Sequence, residues 1–335
     1  MSEKVQVGVI GIGEFGSLHA EIYSQLQSTE LVAVADIDEA RLEKFTASHR
    51  CAKYKDFHDL VERDDIEAIS VCTPDNLHVE SAVAAASSGK HILVEKPLAK
   101  TVEDCNKIIT AANETGVKLM VGQIFRFDPR YHTAHKAVRE GKIGEIVHFW
   151  SRHNARVCGA RKRANRTSAL FILGLHGLDF MNWCTDSKVE RVYAESIRKV
   201  LPDTLESEDT YLALIKYKNG VIGSLESSWV LPENYPGWVD VRLEIMGTKG
   251  VIFIDNSGRE FEIVQGKGIE YPNMRTVVPV GSKLLGPLRH EIEHFIECIQ
   301  KDEQPCVSGE DGKAAVEVAC AIEKSLERQE PVYMG

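Results

Sequence analysis

The stretch Val5-Gln6-Val7-Gly8-Val9-Ile10-Gly11-Ile12-Gly13-Glu14-Phe15-Gly16 decides the fold. A β-branched apolar run passes straight into G-x-G-x-x-G and from there into a helical pattern. Gly11 permits a tight turn, Gly13 lets backbone approach a pyrophosphate, and Gly16 lets helix and strand pack closely. The helix start adds unpaired N–H groups and a positive dipole end. Three glycines alone are a weak signal. Asp36 strengthens it: it lies twenty residues after Gly16, at the end of the second apolar run, where a carboxylate can accept hydrogen bonds from both ribose hydroxyls of adenosine. The bland alternative for Asp36 is a helix-capping residue ahead of Ile37 and Asp38. A carboxylate at this point repels a 2′-phosphate, so the expected cofactor is NAD rather than NADP, with nearby Arg41 a complication. Ile12, Glu14, Phe15 and Ile37 complete the expected cofactor contacts of this region.

Outward from that loop, short β-branched runs at 5–10, 31–36, 66–71, 91–96 and 118–123 alternate with helical stretches at 14–27, 76–88 and 101–115. Such alternation predicts an α/β fold with a doubly wound parallel sheet, its strands apolar on both faces because helices cover both. After residue 124 the pattern changes. A helix (129–140), a basic segment and a short apolar helix (170–184) precede longer strand-like runs at 189–200, 210–218, 221–230, 239–246 and 250–255. Asn219-Gly220 between two of these is a hairpin signal, so the second sheet is at least partly antiparallel. Helical patterns return at 284–300 and 310–328. The chain is therefore expected to form two domains, residues 1–124 and residues 125–335.

The chain has 335 residues, 43% hydrophobic and 27% charged, with a formal charge of −10, which excludes a disordered or disulfide-scaffold protein. Net negative charge argues against nucleic acid and anionic membrane as partners. No run reaches the roughly 18 apolar residues of a membrane span, and the N-terminus lacks a signal-peptide pattern, so a cytoplasmic protein is expected. Eight cysteines without a C-x-x-C pair read as reduced thiols, and no structural metal is expected.

Two further stretches, Thr73-Pro74-Asp75-Asn76-Leu77-His78 and Glu95-Lys96-Pro97, sit at the carboxyl ends of predicted parallel strands, where ligands bind in open α/β sheets. With the glycine loop and the run 121–129 (VGQIFRFDP), they give a sequence that closely resembles the glucose-fructose oxidoreductase/inositol dehydrogenase (Gfo/Idh/MocA) family over essentially its whole length. The resemblance implies a Rossmann domain, then an α/β domain with a large open sheet that commonly forms oligomer contacts, here a homodimer or homotetramer. It further implies an active site between the domains and hydride exchange between NAD and a secondary hydroxyl or keto carbon of a cyclic sugar, polyol or sugar acid. Carried over, Lys96 becomes the lysine that hydrogen-bonds the reacting oxygen, where a cation stabilises a developing alkoxide. Thr73, Pro74, Asn76, His78, Glu95 and Lys96 itself match cofactor-side positions; for Asn76 and His78 a purely helix-starting role stays open. Gln123 would face nicotinamide or substrate. Arg126 reads as packing or binding with equal ease.

The family's D-x-G-x-H-x-x-D motif aligns with Ile172-Leu173-Gly174-Leu175-His176-Gly177-Leu178-Asp179. Gly174, His176 and Asp179 match, but the first carboxylate is Ile172, which cannot orient or polarise an imidazole. His176 is the expected acid/base group, against the plainer reading of a core histidine. Asp179, three residues on, is the nearest replacement carboxylate and a candidate substrate contact. The loss at Ile172 keeps an alternative open, a dinucleotide-sensing or regulatory protein of the same fold without turnover; retention of Lys96 and His176 argues against it. Residues 152–166 crowd six cations into fifteen positions. Arg156 and Arg163 there are candidate binders of an anionic sugar, with a solvated charged loop or a set of oligomer salt bridges the equal alternative. Finally, His290-Glu291-Ile292-Glu293-His294 fits the zincin pattern H-E-x-x-H, but Ile292, Phe295, Ile296 and Ile299 form the apolar stripe of that helix and both histidines face away from it, so coincidence is the reading.

Overall fold

In the computed structural model of the protein, residues 4–202, 207–257, 261–266 and 268–335 are described. The chain divides into two units, Met1–Ile124 with Val277–Lys313, and Phe125–Thr276 with Ala314–Gly335.

The first unit opens with β1 (Val5–Ile10), α1 (Glu14–Gln25), β2 (Thr29–Ala35), α2 (Glu39–Thr46), β3 (Ala52–Tyr54) and α3 (Phe57–Val61). It continues with β4 (Ala68–Val71), α4 (His78–Ser87), β5 (His91–Glu95), α5 (Val102–Thr115) and β6 (Leu119–Gly122). The six strands are parallel, in the order β3-β2-β1-β4-β5-β6, and the order in which the chain lays them down reverses between β1 and β4. That crevice is where ligands bind in such sheets. All four residues of β4 are buried, as expected of a strand covered on both faces. Local chemistry sets the helix ends: Asp38 caps α2 by accepting from the Ala40 and Arg41 amides, Thr101 caps α5, and Gly116 ends α5 at φ +71°. The short β3 has no counterpart among the predicted strands.

The second unit contains α6 (Pro129–Arg139), β7 (Ile146–Arg156), α7 (Val157–Arg161) and α8 (Leu175–Thr185). It adds β8 (Val189–Ile197), β9 (Thr210–Tyr217), β10 (Ile222–Leu231), β11 (Val239–Gly247) and β12 (Val251–Asp255). With the C-terminal strand Val332–Tyr333, they form a seven-stranded sheet ordered β12-β11-β7-β10-β9-β8 and then the C-terminal strand. Only the β7–β10 pair is parallel. The Asn219-Gly220 turn joins β9 to β10 as expected, with Gly220 at φ +94°.

Residues 152–156, the start of the basic segment, belong to β7, an interior strand of this sheet. From Ser151 on, polar residues occupy both of its faces, so neither a period of two nor an apolar run marks that half of the strand in the sequence. Cross-strand carboxylates make its charge tolerable, since Arg152 pairs with Glu226 at 3.1 Å and with Asp240 at 3.4 Å.

After two small hairpins the chain forms α9 (Pro287–Lys301) and α10 (Gly309–Arg328). The sequence places everything after residue 124 in the second domain, whereas residues 277–313 group with the first unit. α9 lies on α1, the Leu284 amide donates to Gln25 Oε1 at 2.8 Å, and the Val121 amide donates to the Val307 carbonyl at 3.2 Å.

Candidate active site

The glycine loop is built by exclusion of side chains. A Cβ at Gly16 would stand 1.7 Å from the Gly11 carbonyl oxygen, and one at Gly11, whose φ is +85°, would meet the Cys72–Thr73 backbone at 2.9 Å. Gly13 caps α1 without a side-chain hydrogen bond, leaving the helix's first N–H groups for an anion. Asp36, 9% exposed, accepts from the Ile12 amide through Oδ2 and from the Asp38 amide through Oδ1, both at 2.9 Å. The capping alternative thus falls to Asp38, and Asp36 serves as the brace between β1 and β2. A carboxylate has about four acceptor sites, so each Asp36 oxygen keeps capacity for a ribose hydroxyl. Arg41 leans on this carboxylate at 3.6 Å and on Asp38 at 3.2 Å. Ile37 is 82% exposed and Phe15 40%, both rare for such side chains, and they give an adenine or ribose an apolar surface to rest on.

At the carboxyl ends of β4, β5 and β6 the remaining cofactor-side residues cluster. His78 is buried and places Nδ1 2.8 Å from the Pro97 carbonyl and Nε2 2.9 Å from the Thr73 carbonyl. Burial pulls its pKa down, and a neutral ring donates to one carbonyl at a time. It ties the Thr73 loop to the Lys96 loop instead of presenting a nitrogen to a ligand. Pro74 and Asn76 are exposed beside it. Thr73 Oγ1 is buried with no hydrogen-bond partner, and so are both amide atoms of Gln123. Buried polar groups without partners are rare in folded proteins and point to something that pairs with them when bound. Glu95 and Gly122 are register partners, so the half-buried Lys96 follows one strand end and Gln123 the adjacent one. The Glu95 carboxylate itself turns to His19, at 3.1 Å. An uncapped glycine-led helix start, a ribose-competent Asp36 and an orphaned amide at Gln123 fit a nicotinamide dinucleotide.

In the second unit, His176 lies on α8 immediately after a turn of π-helix at Leu170–Gly174, the turn that carries Ile172. Such turns add a residue to the helix and re-aim the side chains beyond it. The imidazole stacks on Phe125, with centroids 4.5 Å apart at 16°. Gly177 lets α8 approach β7, because a Cβ there would be 2.6 Å from both His153 Nε2 and Ser151 Oγ. Asp179, 1% exposed, receives Arg126 Nη2 at 2.6 Å and Arg126 Nε at 2.9 Å in a bidentate pair. Arg126 also stacks over Trp183 at 5.1 Å. Both oxygens of Asp179 therefore anchor α8 to the start of the unit, and Arg126 has a packing role.

The basic segment is largely engaged. Arg156 donates to the Tyr235 carbonyl and lies 5.0 Å over Trp238, Arg161 pairs with Glu233 at 2.6 Å, and Arg163 reaches the Gly159 carbonyl at 3.5 Å.

Two residues of the first unit escaped the sequence reading, His19 and Glu291. Within H-E-x-x-H, His290 is exposed, His294 Nε2 accepts from the Cys306 amide at 3.0 Å, and Glu291 is fully buried. The motif attracted notice to the wrong pair of side chains.

A family model described as "Oxidoreductase family, NAD-binding Rossmann fold" matches residues 5–123, and one described as the GFO/IDH/MocA C-terminal domain matches residues 131–253. The myo-inositol 2-dehydrogenase of Thermotoga maritima is 31% identical over 98% of this chain and 98% of its own. The scyllo-inositol 2-dehydrogenase (NAD(+)) of Bacillus subtilis is 26% identical over 100% of this chain and 97% of its own. The crystal structure of scyllo-inositol dehydrogenase from Lactobacillus casei with bound NAD(H) and scyllo-inositol shares the fold at a TM-score of 0.84, with 23% identity and 99% of each chain covered.

Proposed function

Since the chain belongs to the Gfo/Idh/MocA oxidoreductase family, we propose that it interconverts a secondary hydroxyl and a ketone on a neutral cyclic polyol of the inositol type, with NAD as coenzyme. The observation that carries this reading is the unpartnered amide of Gln123, buried at the strand end next to the one bearing Lys96. When bound, the nicotinamide accepts or returns the hydride. Lys96 supplies a positive hydrogen-bond donor to the reacting oxygen, stabilising it as it gains alkoxide character. His176 takes the hydroxyl proton on oxidation and returns it on reduction. Ile172 leaves that imidazole without the family's carboxylate, and stacking on Phe125 orients the ring in its place. Asp179 is not offered as the substitute, because Arg126 holds both of its oxygens.

A neutral substrate is preferred to the anionic sugar because Arg152, Arg156 and Arg161 already meet Glu226 with Asp240, the Tyr235 carbonyl and Glu233. The protein acts as a homo-oligomer in the cytosol on this reading. Exposed Leu212, Leu214, Ile222 and Phe253 on the outer sheet face support the first part, and eight free cysteines support the second. No described helix is long and apolar enough to cross a membrane.

The test is NADH formation with a panel of inositols, aldoses and uronates. Turnover of a neutral inositol, with Arg156→Ala leaving its KM unchanged, supports the reading. NADH binding without turnover of any panel member contradicts it and favours a sensor.

A further inference from the structure

Glu291 on α9 is the most anomalous side chain of the first unit: fully buried, with neither carboxylate oxygen hydrogen-bonded or ion-paired among the described residues. One oxygen of Glu291, one of Glu95 on β5 and a ring nitrogen of His19 on α1 lie within 4.8 Å of one another. Among the described residues, the other groups that act on this cluster are Tyr23 on α1 and Cys72 after β4, and neither brings a positive charge. Arg289 on α9 is taken by Glu293 at 2.7 Å. Two carboxylates this close, one fully buried and the other 13% exposed, cannot both stay ionised without a cation or a proton.

The hydrogen bonds choose between these. Among the described residues the buried Tyr23 hydroxyl has one hydrogen-bond partner, Ser70 Oγ at 2.8 Å, and its proton is satisfied only if it donates there. Ser70 then gives its own proton to His19 Nδ1 at 3.2 Å. His19 Nε2 therefore carries hydrogen and donates to Glu95 Oε1 at 3.1 Å. A protonated Nε2 cannot ligate a metal, which needs the bare nitrogen. Glu95 thus has a donor beside it whereas neither Glu291 oxygen has one, so of the two carboxyls it is Glu291 that holds the proton.

We propose that Glu291 is a positioning residue, kept as a neutral carboxylic acid that donates to Glu95 directly or through one water, and that it fixes the end of β5 from which Lys96 projects. Gly122 serves the same arrangement, since a Cβ there would press on Glu95 Oε1 at 3.2 Å. Burial first, then the Glu95 charge, push Glu291 well above the usual carboxylate range. The role assigned to Lys96 rests on the function proposed above; the protonation of Glu291 does not.

The experiment compares wild type, Glu291→Gln and Glu291→Leu as full chains, by melting temperature against pH and by kcat and KM. A carboxyl whose folded pKa is raised contributes most below its unfolded pKa, and that contribution is lost as pH climbs toward the folded value. The melting temperature of E291Q, which has no such proton to lose, is therefore expected to rise relative to wild type from about pH 5 to about pH 8. E291L, without a donor, should lose about tenfold in kcat with KM for NAD unchanged, and E291Q should recover most of it. Parallel melting curves for wild type and E291Q, a slow E291Q matching E291L, or an equimolar divalent metal bound by wild type and lost in E291Q would each overturn the proposal. If E291L does not fold, the E291Q melting curve decides alone. That curve needs no substrate, so it separates failure of this inference from failure of the functional reading.

Discussion

Asp36 accepts two backbone amides and still has lone pairs for a ribose, so its replacement removes an acceptor from buried N–H groups as well as from the coenzyme. Asp36→Ala is expected to raise KM for NAD by about tenfold or more and to narrow the NAD/NADP ratio of kcat/KM, because the carboxylate that repels a 2′-phosphate is gone and Arg41 keeps only Asp38 as a partner. Steady-state kinetics with both coenzymes check this; an unchanged ratio would remove Asp36 from coenzyme selection. This residue was legible in the sequence because a glycine loop and a carboxylate twenty positions later act locally. Glu291 and His19 were not. They meet only because a helix near the C-terminus packs on the first helix of the chain, and no local pattern encodes that return. His78 was legible as a member of the loop but not in its task, which depends on two carbonyls that only the folded chain brings to it.

Two elements position the chemistry, and each has one interaction whose loss is diagnostic. For α1 it is the contact at Gly16, where a Cβ would collide with the Gly11 carbonyl at 1.7 Å. Gly16→Ala must push the helix off its strand, so NADH titration should show binding weakened by at least about 100-fold. For α8 it is the buried Arg126–Asp179 pair, whose truncation takes a bidentate carboxylate away from a buried guanidinium. Asp179→Ala is expected to cost about 3–5 kcal/mol of stability by denaturant unfolding, with Asp179→Asn costing less because it retains an acceptor. Equal, small losses in both would show the pair to be dispensable. The sequence showed both helices and the family match at His176. It could not show that Asp179 belongs to Arg126, since the two are distant along the chain, nor that Ile172 sits in a π-helical turn. The second half of β7 was hidden for a different reason: Arg152 is matched across the sheet by Glu226 and Asp240, so a run of charges lies inside the second sheet.

At the scale of the whole molecule, the second sheet leaves one face open. Register places Phe253, Glu244, Trp150, Ser224, Leu214 and Tyr193 in one row across five strand pairs on that face. Phe253 is 64% exposed and Leu214 57%, more apolar surface than an isolated chain usually leaves to water. Leu214→Glu with Phe253→Glu is expected to lower the mass measured by light scattering to that of a single chain; an unchanged mass would place the interface elsewhere. The account as a whole rests on a coenzyme-dependent alcohol oxidation in which Lys96 takes part. The most direct measurement is NADH production from NAD and myo- or scyllo-inositol by wild type and Lys96→Met, with NADH affinity recorded for both. The account predicts turnover by wild type, a fall in kcat of about 100- to 1,000-fold in K96M, and unchanged NADH binding. Equal turnover by the two proteins would contradict it.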